Sequence, residues 1–124
     1  MNANAVILAV PSYVASTIVE PLDIPLATSL KNIYYPPVVE VFLGFAQKDI
    51  QRPLDGFGFL IPSKENRRIL GTIWSSTLFP NRAPAGHAAL TSFVGGSRQP
   101  DLAALNDSEL TDLVVEELRS IMRI

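Results

Sequence analysis

With 124 residues, 48% hydrophobic and 18% charged, the chain has the size and material of one modest folded domain and no signature of disorder. A net charge of −2, with no basic cluster longer than Arg67–Arg68, excludes nucleic acid as an expected partner. The lack of cysteine excludes disulfides and thiolate chemistry. A single histidine, His87, excludes a histidine-rich metal site, and no apolar run approaches the roughly 20 residues that span a bilayer.

The opening NANAVILAVPSY has no cationic leader region, so it is a poor secretory signal. AVILAV is a continuous apolar run of strand length and predicts a strand over Ala5–Val10, of the kind buried on both faces. A chain this small cannot cover both faces, which implies a piece of something larger. Pro11 fits the first turn of a helix that runs to about Val19 and is stopped by Pro21. A second turn or short helix is expected over Ile24–Asn32. The YYPP at Tyr34–Pro37 then enforces extended geometry.

From there the period changes. VVEVFLGFA, Val38–Ala46, is rich in β-branched and aromatic residues and apolar on both faces, as a central strand should be. Strands are also expected within Phe57–Pro62, Arg68–Ser76 and His87–Gly96. The short polar SKENR reads as a hairpin loop, and the proline-rich TLFPNRAPAG reads as a structured surface loop. Asn106 with Glu109 makes a capping box, Leu105 and Leu110 stand at the positions of a hydrophobic staple, and Leu110, Leu113, Val114, Leu118, Ile121 and Met122 form one helical stripe. The expected architecture is α+β: an antiparallel sheet of about four strands with helices packed on one side, preceded by a strand–helix unit. The boundary falls between residues 1–35 and 36–124.

GFGFLIPSKE, Gly56–Glu65, raises the question of a nucleotide loop. The dinucleotide fingerprint needs a third glycine where Ile61 stands, and a helix where PSKEN and another strand follow. The nucleotide reading fails. Glycines inside strands mark close approach of a backbone or a ligand. Gly56, Gly58 and Gly71 either relieve crowding in a twisted sheet, or Gly58 floors a flat pocket walled by Phe57, Leu60 and Ile73 that suits a planar apolar ligand.

These stretches carry a resemblance. GFGFLIPSKE, then ILGTIWSSTLFPNRAP, then SFVGGSR with an acidic, leucine-rich helix, resemble the protoporphyrinogen oxidase family of the flavin amine oxidases, in order and spacing. VILAVPSYVAS resembles that family's segment returning to the flavin domain, which assigns residues 1–35 to that return and 36–124 to the substrate-binding domain. Family members are several times longer, so the resemblance implies an excised internal segment, inactive alone. It implies a parent in which FAD takes hydride equivalents as protoporphyrinogen IX becomes protoporphyrin IX, with no FAD expected on this segment. The implied partners are the porphyrinogen and the parent's flavin domain. The implied substrate contacts are Phe57, Gly58, Leu60 and Ile73, with no catalytic, cofactor or metal residue carried over. The implied location is cytoplasmic, with peripheral attachment of the parent at an inner membrane as a further expectation.

A coproporphyrinogen-oxidising relative and a free-standing module for an apolar ligand are the alternative readings. Arg67, Arg68, Arg82 and Arg98 could reach propionates but read as solvated loop charges, and His87 as a surface residue. The acids Glu109, Asp112, Glu116 and Glu117 read as the solvated side of the last helix. Trp74 and Phe79 fit either a ring contact or an anchoring role. Exposed apolar surface on the isolated segment is expected to invite self-association.

Overall fold

The computed structural model describes residues 3–124, which fall into two compact units divided between Tyr35 and Pro36. In the first, helix α1 (Ser12–Val19) packs on α2 (Ile24–Lys31). Pro11 lies just outside α1 with an extended backbone, one place earlier than its expected position in the first turn. The Tyr35 hydroxyl accepts the Ser12 N–H at 3.0 Å, which holds its pKa below the usual tyrosine value. The Tyr35 ring meets Tyr13 edge-on at 5.7 Å. The Ser16 hydroxyl donates to the Ala27 carbonyl across the pair at 2.8 Å, and Asp23 caps α2 by accepting the Leu26 N–H.

The strand expected at Ala5–Val10 is not formed among the described residues. A strand is defined by a hydrogen-bonded neighbour, and this segment has none, so its apolar side chains stay in solvent, Ile7 at 92% exposure.

The second unit holds one antiparallel sheet in the order β1–β4–β3–β2: β1 is Val38–Ala46, β2 Gly58–Leu60, β3 Ile69–Ile73 and β4 His87–Gly95. β1 and β4 match the expected strands closely, because nine unbroken register pairs join them. The other two strands are shorter than expected. Pairing beyond β2 continues only as single bonds, Ile61 N–H to Leu70 O and Trp74 N–H to Phe57 O. β3 carries a bulge at Leu70, which lets Ile69 and Thr72 both face the core despite their odd spacing. After Trp74 the chain leaves the sheet as a one-turn helix, α3 (Ser75–Leu78). There the Ser76 hydroxyl accepts the Ala89 N–H at 3.0 Å, doing the work of a strand carbonyl.

Helix α4 (Asp107–Met122) closes the fold, with the expected capping box formed at Asn106 and Glu109. Its stripe of Leu110, Leu113, Val114, Leu118 and Met122 buries against Ile69, Leu90, Val94 and the inner face of β1. Glu117 lies within that stripe and not on the solvated side. Its side chain is only 8% exposed, because Arg67 reaches it at 3.3 Å and the Arg68 N–H donates to it at 3.2 Å. Arg68 also pairs with Glu116. The loop arginines therefore clamp the β2–β3 connection to α4. Arg98 is fixed too, with both terminal nitrogens donating to the Ile61 carbonyl at 3.1 Å.

Candidate functional site

The strand register sorts the sheet into two faces. Phe59, Thr72, Ser92 and Val41 form a row beneath α4, and Thr72 and Ser92 share a buried hydroxyl–hydroxyl bond of 2.9 Å. The rows that face the other way are Gly58–Ile73–Thr91–Phe42 and Leu60–Gly71–Phe93–Glu40. Within this unit that face is uncovered: Leu60 is 87% exposed, Phe57 65% and Phe42 54%. Leaving this much large apolar surface in water is unfavourable at roughly 25 cal/mol per Å², so the face reads as one made to be covered.

Phe57, Gly58, Leu60 and Ile73 line one hollow of about 200 Å³, together with Phe59, Thr72 and Phe93. A second hollow of about 390 Å³ shares Ile73 and Phe93 with the first and extends the floor to Phe42, Phe79, Glu40 and Arg82. The first is below and the second within the lower part of the roughly 300–1,000 Å³ range of small-molecule pockets, and both are open to solvent, so the face is a floor without a roof. Gly71 sits in the register between Leu60 and Phe93, buried against the Phe59 carbonyl and the Leu60 side chain.

The floor's polar groups are few. The Ser75 and Thr91 hydroxyls pair at 2.6 Å, and Arg82 lies 5.8 Å from the centre of the Phe79 ring, stacked over it. Of the four arginines considered from sequence, Arg67, Arg68 and Arg98 are committed to α4 and Ile61, and Arg82 stands at the open face. His87 is exposed at the start of β4, its ring nitrogen 3.2 Å from the Ala85 carbonyl. Among the described residues no carboxylate–histidine group is arranged to hold a metal ion. A larger hollow, about 570 Å³, opens between β2 and the end of α4, but Arg52, Glu65 and Arg67 stand in its wall. It shares Gly58, Phe59 and Leu60 with the first sheet-face hollow and carries three charged side chains, against Glu40 and Arg82 on the sheet face.

Gly58 has φ +145°, and a Cβ on it would stand 2.1 Å from the Thr72 carbonyl oxygen. A Cβ on Gly71 would stand 2.4 Å from the Phe59 carbonyl oxygen. Both glycines admit a neighbouring backbone, and Gly58 lines the hollow as a consequence of that close approach. Phe93 and Phe42 were not singled out from sequence; Phe79, read there as a ring contact or an anchor, lines the second hollow with Arg82 over its ring. The register supplies the missing signal for Phe93, since it sets this half-buried residue in the open-face row beside Gly71 and Leu60.

A family model described as flavin containing amine oxidoreductase matches residues 1–123. The chain belongs to that family. It is 39% identical to the chloroplastic protoporphyrinogen oxidase of Nicotiana tabacum and 40% identical to that of Oryza sativa, in each case over 98% of this chain. These alignments cover 23% and 24% of the relatives, so the chain spans about a quarter of their length. A coproporphyrinogen III oxidase of Bacillus subtilis is 28% identical over the whole chain, across 26% of its own length. Family membership implies FAD in the full-length proteins.

Among the described residues no glycine-rich strand-to-helix turn of the kind that cradles a dinucleotide is formed. A pyrophosphate needs a helix N-terminus with free N–H groups. The start of α1 is taken by the Tyr35 hydroxyl, that of α2 by Asp23, and that of α4 by Asn106 beside the acidic Asp107 and Glu109. Helix α3 is a single turn. Among the described residues no helix is long and apolar enough to cross a membrane.

Proposed function

We propose that the uncovered sheet face is one wall of the substrate site of an FAD-dependent oxidase that converts protoporphyrinogen IX to protoporphyrin IX. The observation that carries this reading is the continuous apolar floor of Phe57, Leu60, Ile73, Phe93 and Phe42 opposite α4. A flavin, when bound by the rest of the family fold, supplies the hydride acceptor. The residues of this chain bind and orient. Aromatic and aliphatic side chains take one face of the macrocycle, exclude water from it and leave its reacting carbons turned away from the sheet. No proton transfer is assigned to this segment. In this reading residues 36–124 belong to the substrate-binding part, residues 1–35 lead back to the flavin-binding part, and the segment binds no FAD and has no activity alone.

Arg82, stacked at the edge of the floor, is placed to meet a propionate. One cation on this face suits the porphyrinogen with fewer propionates, which favours the protoporphyrinogen reading over the coproporphyrinogen reading that the Bacillus relative's name supports. Left uncovered, the face would favour self-association through apolar surface. A cytoplasmic location belongs to the same proposal; the plant relatives carry chloroplastic names, and a fluorescent-reporter fusion distinguishes the two.

The test is a chimera in which this segment replaces the matching stretch of the Nicotiana tabacum relative. Recovery of porphyrin fluorescence from protoporphyrinogen is the expected result. A chimera that carries FAD at full occupancy yet forms no porphyrin would overturn the proposal, since FAD content separates misfolding from a failed substrate wall.

A further inference from the structure

The sheet register fixes where charge stands on the open face. β3 leaves the sheet past Ile73, so Ser75 lies beyond the Gly58–Ile73–Thr91–Phe42 row, where its hydroxyl meets that of Thr91 at 2.6 Å. Phe79 and Arg82 sit in the loop that joins α3 to β4 at that end. The Leu60–Gly71–Phe93–Glu40 row lies on the opposite side of Ile73, two residues or roughly 7 Å along the strands. Arg82 and Glu40 line the same hollow of about 390 Å³, yet among the described residues no ion pair joins them.

The floor is therefore polarised. At one end a cation stacks over the Phe79 ring, and at the other a carboxylate stands in the row of Leu60 and Phe93. Glutamate is an unfavourable residue for that position. Its neighbours on the same face of β1, Val38 and Phe42, are apolar, and strands in general are depleted in glutamate.

We infer that Glu40 is a specificity-determining residue, which selects against a porphyrinogen carrying carboxylates on both edges. The inference rests on the substrate-wall reading above. Protoporphyrinogen carries its propionates on neighbouring pyrroles at one edge and vinyl groups at the opposite edge. With the propionates directed to Arg82, the vinyl edge lies over Leu60, Phe93 and Glu40. Coproporphyrinogen has a propionate in place of each vinyl, and in the same pose it brings a carboxylate to Glu40. Turning the macrocycle gives no relief, because each of its pyrroles carries a propionate. Like charges oppose each other more strongly in a site shielded from water than in bulk water. Attraction at Arg82 and repulsion at Glu40 together make the discrimination, as specific sites commonly combine the two.

The test uses the full-length chimera that carries this segment and reads porphyrin fluorescence from each porphyrinogen, with FAD content as the control for folding. The parent chimera should prefer protoporphyrinogen. Glu40→Gln should raise the kcat/KM ratio of coproporphyrinogen over protoporphyrinogen about tenfold, mostly through the KM for coproporphyrinogen. Glu40→Lys should raise it further, and Glu40→Asp, which keeps the charge, should retain about the parent ratio. A parent chimera without the preference would overturn the inference. So would a ratio unchanged in both Glu40→Gln and Glu40→Lys at full FAD occupancy, or an equal loss on both substrates. A chimera with full FAD that makes porphyrin from neither substrate overturns the substrate-wall reading itself, and the inference falls with it. Activity on protoporphyrinogen thus separates the two failures.

Discussion

Replacing Gly58 by alanine tests how the floor is built. Two separate penalties apply at this position. A φ of +145° lies in a region that residues with a Cβ occupy only at a cost of about 1–3 kcal/mol. The new methyl would also stand 2.1 Å from the Thr72 oxygen and 2.9 Å from the Ile73 Cα. These are backbone atoms of the paired strand and cannot rotate away. Overpacking of this kind costs about 1–3 kcal/mol. The sum, about 2–6 kcal/mol, is bounded above by what it takes to release the three-residue edge strand β2 from β3. At roughly 4–8 °C per kcal/mol, the melting temperature of the sheet unit should fall by about ten degrees or more. Thermal melts followed by the fluorescence of Trp74, the chain's one tryptophan, report on the β2–β3 side directly. Gly71→Ala carries only the overlap with the Phe59 oxygen and should lose about 1–3 kcal/mol. Gly44→Ala meets nothing and should stay within about 1 kcal/mol of the parent. Equal melting of Gly58→Ala and Gly44→Ala would refute the close-approach argument.

Other variants probe the clamp, the cap and the pH response. Glu117→Gln should lose about 1–3 kcal/mol in urea unfolding, because the buried carboxylate accepts from both Arg67 and the Arg68 backbone. Asn106→Ala removes one half of the capping box and should lose about 1 kcal/mol in the same assay. Trp74→Phe should change stability little, since the buried indole N–H has no hydrogen-bond partner to lose. The Tyr35 pKa is lowered in the fold by the Ser12 N–H, so its ionised form favours the folded α1–α2 pair. That contribution is full above the unfolded tyrosine value of about 10 and is lost as pH falls through the lower folded value. Hydrogen exchange in α1 should slow, relative to Tyr35→Phe, on crossing that window upward.

The legible parts of the fold are those whose signals are local. The β-branched run of Val38–Ala46 and the Asn106–Glu109 box each specify their element within a few residues. What escaped depends on partners distant in sequence. AVILAV has strand composition, yet a strand exists only beside another, and residues 3–124 supply no neighbour. The bulge at Leu70 is set by pairing with β4, and Glu117 is buried by arginines about fifty positions earlier, so helical periodicity alone put it in solvent. Phe57, Gly58, Leu60 and Ile73 were identifiable as a group through the family resemblance. From the residues alone they read as glycine and apolar residues in two strands, with no mark of a site. Phe93 became visible only when the register set it against Gly71.

The most direct measurement is an amide-shift titration of the labelled chain with protoporphyrin IX. A macrocycle lying on the open face should shift Phe57, Gly58, Leu60, Ile73 and Phe93 together, and leave Arg52, Ile121 and Met122 at the charged hollow unmoved. Shifts at the charged hollow, or none on the sheet face at saturating ligand, would contradict the account.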